Sequence, residues 1–321
     1  MLGDGGAVVV AVGDAGTGQA VEWAAAEAAA RGAQLRVVHA ERLWWAVDPA
    51  GLVPAVDVCS SRLTAEDIVD AAVRRARDVA PEIEISRRVV FGPPVPLLVS
   101  QGRRAQLLVL GGGGTQARRR RALSVCRRIA RWAPCPVAIV RPLPSGQPAG
   151  TLPRVVVGVG PSGARTAALE VAFRAAVQRA LPVTVVHAWT PEPHTAEERV
   201  RGTLVGALEP WRRRFPDVAV ETVLTDADPV PALVRHSQGA AMLVVGSRAR
   251  AACAGSVGRS VAEQARCPVV VARGTTGGRG RATRDAGGVS RLLPARAVVG
   301  LLARIRVPAA FPDDTGGPHS G

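Results

Sequence analysis

Short runs of Val and Leu closed by glycine alternate with longer Ala-rich stretches along most of the chain. Residues 7–12 (AVVVAV) and 155–159 (VVVGV) carry no polar side chain, the pattern of strands buried on both faces of a parallel sheet. The stretches 19–31 and 166–180 that follow predict helices, the first stopped by Gly32 and the second by Pro182. The same alternation predicts strands at 35–39, 84–91, 106–110 and 136–141, with helices at 64–79, 94–102 and 125–132. Further along it predicts strands at 183–187, 219–224, 241–245 and 268–272, with helices at 196–212, 229–237 and 257–264. Strands alternating with helices imply a parallel sheet covered by helices on both faces.

The order of elements repeats at about half the chain length. AVVVAVG (7–13) recurs as RVVVGVG (154–160), and RGAQLRVVHA (31–40) as RALPVTVVHA (179–188). PVPLLVSQGRRAQLLVLG (94–111) recurs as PVPALVRHSQGAAMLVVG (229–246), and SVCRRIARWAPCPVAIVR (124–141) as SVGRSVAEQARCPVVVAR (256–273). Four blocks in unchanged order indicate a duplicated unit. The expected boundaries are a first unit at 1–141, a Pro- and Gly-rich linker at 142–153, a second unit at 154–273, and a basic, disordered tail at 274–321. A linker of that length spans up to ~40 Å when extended, enough to set the units side by side.

Composition narrows the class. The chain is 47% hydrophobic but has only six Trp, four Phe and no Tyr, so its core must rest on Ala, Val and Leu. The net charge is +15 and every basic residue is Arg, which favours anionic partners. Zinc-finger spacing and a ladder of aromatics are both missing, so specific nucleic-acid recognition is not expected. Five Cys without CxxC pairing read as reduced, buried thiols. The start, MLGDGGAVVVAVG, lacks a charged segment before an apolar core, and no long charge-free apolar run follows. A cytoplasmic protein without a membrane span is the expectation.

The repeated blocks are similar to the universal stress protein family. The resemblance rests on the closing pattern Ser-Val, helix, Cys-Pro-Val, strand in SVCRRIARWAPCPVAIVR and SVGRSVAEQARCPVVVAR, and on VVHA at 37–40 and 185–188. It implies an α/β fold of two Rossmann-like units, each a mainly five-stranded parallel sheet with helices on both faces. It also implies that the last strands of the two units pair across an internal pseudo-two-fold, with further dimerisation open. Members that bind ATP carry a loop G-x2-G-x9-G-[ST] after the fourth strand. By this resemblance the nucleotide-binding positions are Gly13, Asp14, Ala40, Gly111, Gly114, Ser124 and Val125 in the first unit, and Gly160, Gly246, Gly255 and Ser256 in the second. Glycines admit close backbone approach to phosphate, and the following helix offers free N–H groups.

Both units depart from that pattern. Leu123 replaces the third Gly in the first unit, whose loop is one residue short. In the second, Ala249 replaces the second Gly and the loop is four residues short. Gly13 and Gly160 stand where the family has an Asp, with Asp14 one place later in the first unit only. The alternative reading is that Gly111 and Gly246 end strands while Ser124 and Ser256 N-cap helices. Loop length and the cluster Arg118 to Arg121 with Arg127, Arg128 and Arg131 favour an anion site in the first unit.

Other chemistry is thinly supported. GVGPSG (158–163) fits a dinucleotide fingerprint, but the second strand ends in HAW where a ribose-binding acid is wanted. A chain without Lys cannot form a Walker A loop. The five His show no metal-ligand spacing, and His39 and His187 are equivalent strand-end residues. The segment 295–307 reads as a short basic amphipathic helix or as disorder. The expected function is non-enzymatic: a stress-response regulator with degenerate ATP sites, weak or absent in the second unit, and no metal beyond nucleotide-associated Mg. The expected partner is an adenine nucleotide or a protein. The alternatives are an interaction scaffold without nucleotide and, less favoured, a nucleotide hydrolase.

Overall fold

The computed structural model describes residues 6–13, 16–41, 58–113, 116–142, 153–160, 164–189, 197–247 and 256–273. The first repeat runs β1 (Ala7–Val12), α1 (Gly18–Arg31), β2 (Leu35–Glu41), α2 (Val58–Val79), β3 (Ile85–Phe91), α3 (Pro94–Gln101), β4 (Ala105–Gly111), α4 (Gln116–Trp132) and β5 (Val137–Val140). The second runs β6 (Val155–Gly158), α5 (Ala164–Arg179), β7 (Val183–Ala188), α6 (Glu197–Arg214), β8 (Val220–Thr225), α7 (Pro229–His236), β9 (Met242–Ser247), α8 (Ser256–Gln264) and β10 (Val269–Arg273). Residues 143–152 of the expected linker 142–153, and the tail from 274 onward including the segment 295–307, lie outside the described residues.

The ten strands form one sheet in the order β3-β2-β1-β4-β5-β10-β9-β6-β7-β8. Within each repeat every pairing is parallel. The repeats meet where β5 and β10 pair antiparallel, Val137 opposite Val271, Ala138 opposite Val270 and Ile139 opposite Val269. Ala138 and Val270 hold the same place in the duplicated sequence, so the pseudo-two-fold passes between them.

Two apolar layers flank the sheet. On one face Val8, Val10 and Val157 pack with α1, α2, α5 and α6. On the other, Val9 and Val156 pack with α3, α4, α7 and α8. Neighbouring strand residues thus point into different cores, which is why the central strands have no polar phase. Phe173, Trp211 and Phe215 stack at 5.6–6.3 Å between ring centroids and fill the second repeat's α5–α6 layer.

Local signals set the helix ends. Gly32 adopts φ +57 past α1, and the amides of Gly32 and Ala33 turn back to Ala29 and Ala28. The equivalent left-handed residue after α5 is Ala180 at φ 50, two residues ahead of the predicted stop at Pro182. Two helices are longer than predicted. α2 begins at Val58 rather than 64, and α4 begins at Gln116 rather than 125.

The seam is also held by side chains. Arg141, leaving β5, donates to the carbonyls of Glu263 and Ala265 at the end of α8. Arg273, leaving β10, donates to the carbonyl of Ala133 just past α4. On the opposite face Glu27 of α1 is fully buried and accepts from Arg31 at 2.6 Å and from Arg179 of α5. Arg31 and Arg179 are equivalent in the duplication, so two related arginines share one carboxylate. Burial, with Arg174 nearby, pushes the Arg31 guanidinium down to about 10.

Candidate nucleotide site

In each repeat the chain leaves the first strand in one direction along the sheet and returns to its other side at the fourth. The carboxyl ends of β1 and β4, and of β6 and β9, are therefore topological switch points, where open α/β sheets receive ligands.

The strand ends are tied by histidine. His39 Nδ1 donates to the Val12 carbonyl at 3.0 Å, and His187 Nδ1 donates to the Val159 carbonyl at 2.8 Å. The equivalent histidines thus fix the spacing of the first two strands in each repeat. His39 also meets Glu41 Oε2 through Nε2 at 2.8 Å. A proton must lie between those two atoms for that bond to form. At this position the second repeat has Trp189.

The first repeat uses its glycines for chain-on-chain packing. A Cβ on Gly111 would sit 2.9 Å from Thr17 Cγ2, and one on Gly113 would sit 2.6 Å from the Gly16 carbonyl and 2.7 Å from Pro142. Gly112 and Gly113 are buried. The turn between β1 and α1 and the exit from β5 therefore occupy the close approach that a phosphate would need.

The expected helix start at Ser124 is corrected by the structure. α4 starts at Gln116, which places Ser124 eight residues inside the helix, exposed on its outer face, with Val125 partly buried beneath it. The stretch Gln116–Leu123 contains no Gly or Pro and is made of strong helix formers, so the helix extends back through it. Ser124 cannot present its own amide as a free helix-start donor, because that N–H falls within the helical ladder. Ala40 is partly buried at the end of β2. Asp14, Gly114 and the side chains of Arg118 to Arg121 lie outside the described residues.

The second repeat differs. Gly160 and Gly246 are exposed at the ends of β6 and β9; a Cβ on Gly160 would meet nothing within 4 Å, as is also true of its equivalent Gly13, so the difference lies at Gly246. α8 begins at Ser256 itself, and a Cβ on Gly258 would first meet Val245, at the end of β9, at 4.0 Å. The start of α8 thus stands beside the end of β9. Gly255 lies outside the described residues.

Among the described residues there is no group of His, Cys, Asp and Glu able to hold a metal, and no helix is long and apolar enough to cross a membrane. Cys126, Cys135 and Cys267 are free and buried, and burial raises their thiols to about 12, 11 and 12. The seam contacts of Arg141, Arg273 and Glu27 were not foreseen from sequence. Their one signal was an Arg closing both copies of the terminal strand block.

Residues 6–141 and 151–273 match the model of the universal stress protein family. The chain belongs to that family. This universal stress protein is 33% identical over 290 residues to universal stress protein Rv2623 of Mycobacterium tuberculosis, covering 83% of this chain and 96% of that one. It is 31% identical over 285 residues to universal stress protein Rv2005c of the same organism, covering 84% and 97%. Its fold is shared with a universal stress protein of Archaeoglobus fulgidus, at TM-score 0.61 and 17% identity over 83% of this chain and 96% of that one.

Proposed function

We propose that this stress-response protein is a cytoplasmic, non-enzymatic regulator that takes adenine nucleotide, ATP first, at the β6/β9 mouth of its second repeat. The observation that carries the reading is the contrast between mouths. Gly246 is exposed beside the helix α8 that runs from Ser256, whereas at its equivalent, Gly111, a Cβ would sit 2.9 Å from Thr17, and at Gly113 one would sit 2.6 Å from the Gly16 carbonyl. This reverses the ranking expected from loop length. Loop length governs whether a cradle can form, but the first repeat fills its cradle from within and moves its helix start away from Ser124. In the second mouth Gly160 and Gly246 admit the ligand's backbone-side approach, while the first turn of α8 at Ser256 offers N–H groups to phosphate. Nucleotide-associated Mg would be held by the phosphates, since no carboxylate set stands ready for it among the described residues.

The test is calorimetric titration of ATP into the full chain and into Ser256→Glu and Ser124→Glu. Loss with Ser256→Glu and retention with Ser124→Glu is the expected result. The opposite pattern returns the site to the first repeat. A second reading, an interaction scaffold without nucleotide, is favoured by the packed first mouth, and no binding to the unmodified chain would select it.

A further inference from the structure

Between Glu84 and Glu170 the sequence holds fourteen Arg and no Asp or Glu. This stretch supplies α3, the 3₁₀ turn Gly102–Arg104 and α4, which cover one face of the first repeat. On α4, Cys126, Ile129 and Ala130 face the core, while Arg127, Arg128, Arg131 and Trp132 are exposed. Trp132 is 62% exposed, and the Arg131 guanidinium lies 5.2 Å over its ring. Gly102 abuts Pro134 and Cys135, just past Trp132, so the exposed Arg103 and Arg104 continue the same basic surface.

The duplication supplies an internal comparison. The residues of α8 equivalent to Arg127, Arg128, Arg131 and Trp132 are Arg259, Ser260, Glu263 and Gln264, and there Arg259 pairs with Glu263 at 3.1 Å. One copy of the helix is neutralised on itself. The other keeps only cations and adds an indole. The fold does not require this charge, because the sister helix packs the same way without it.

We propose that this α3–α4 face binds single-stranded nucleic acid without base specificity, its arginines following the phosphates and Trp132 stacking a base. Charge selects a polyanion, and the stacked Arg131–Trp132 pair presents a flat π surface of the kind bases stack on. A duplex groove would need a protruding helix, whereas α4 lies flat against the sheet. An anionic membrane would need more apolar area than one indole. The other large exposed hydrophobics among the described residues, Leu63, Val79, Val177 and Val205, lie on α2, α5 and α6, which cover the opposite face.

The experiment is fluorescence anisotropy of the full chain with a labelled oligo-dT or oligo-U of about 16 nucleotides, the upper range for one small single-strand module, over a salt series. Competition is with polyglutamate and with phosphatidylserine vesicles. Arg127→Ser/Arg128→Ser/Arg131→Ser is expected to weaken binding and lower the log-log salt slope by about 2, at about 0.7 per phosphate contact for single strands. Trp132→Ala is expected to weaken binding about 5- to 150-fold and Trp132→Phe to recover most of it. Arg259→Ser should bind like the unmodified chain. All these side chains are exposed, and unchanged thermal melts show that folding is intact. The proposal is overturned if the triple variant and Trp132→Ala bind like the unmodified chain. It is equally overturned if polyglutamate or the vesicles compete at equal charge and Trp132→Ala has no effect, which would make the face a site for an acidic protein or for lipid.

Discussion

Arg141 and Arg273 exchange roles across the seam: each leaves the end of its own repeat's last strand and caps the carbonyl end of the other repeat's last helix. The contact joins the repeats by more than the β5–β10 ladder. It also puts a cation at a helix carboxyl end, where the backbone dipole favours it.

Arg141→Ala and Arg273→Ala should therefore each lower stability by about 1.5–3 kcal/mol, since each removes a charged donor from a helix carboxyl end. Chemical denaturation midpoints at constant slope measure both. Equal, negligible effects would show that the seam is held by the strand ladder alone.

Glu27 is the more costly residue to lose. Glu27→Ala leaves Arg31 and Arg179 with no carboxylate between them in a dry environment, and about 3–5 kcal/mol of stability should go with it. Glu27→Ala combined with Arg179→Ala should cost less than the sum of the single changes. A denaturant double-mutant cycle reads this coupling, and additivity would refute it.

The two helix ends make a matched pair of tests. Ala180 holds φ 50 where its counterpart Gly32 holds φ 57. Ala180→Gly should stabilise the protein by about 0.5–1 kcal/mol by relieving left-handed strain, after the entropic cost of a Gly in the unfolded chain. Gly32→Ala should destabilise by about 1 kcal/mol, and for backbone reasons alone, since a Cβ there meets nothing within 4 Å. Thermal melts with opposite shifts are the expected outcome.

Alkaline pH should loosen the fold through its thiols. Cys126 and Cys267 are raised by burial from 9.0 to about 12, so the unfolded chain releases these protons first. Their contribution is fully present below about pH 9 and is lost as pH rises toward 12. Arg31, lowered to about 10, acts with the opposite sign above that pH. Comparing the unmodified chain with Cys126→Ala/Cys267→Ala between pH 8 and pH 11 isolates the thiols: the variant should show the shallower loss. The same burial predicts no alkylation of these thiols in the folded protein at neutral pH.

The parallel sheet and the duplication were legible because buried strands such as β1 and β4 must be apolar throughout, and because two copies of each block lie in one chain. Helix starts were less legible. Ser60, Ser61 and Thr64 interrupt the apolar periodicity of α2 and resemble cap residues, yet the helix runs through them. In α4 the glycine-based loop pattern pointed to Ser124, while the local propensity of Gln116–Leu123 favoured helix. The identities of the mouth glycines were readable, but not what lies against them. Whether Gly113 meets a ligand or the Gly16 carbonyl depends on how two distant loops meet, and sequence spacing does not encode that distance.

The antiparallel pairing of β5 with β10 has one more consequence. If two separate copies of a single repeat met through that edge, any change in one mouth would appear in the other, because both would be read from one coding sequence. Here the two halves are covalently joined and reciprocally capped, so each drifts on its own while the stoichiometry stays fixed at one to one. The last helix of the first repeat could gather cations while its counterpart in the second paired Arg259 with Glu263. The chain is in effect an obligate heterodimer carried by a single polypeptide, free to specialise one partner without risking the other.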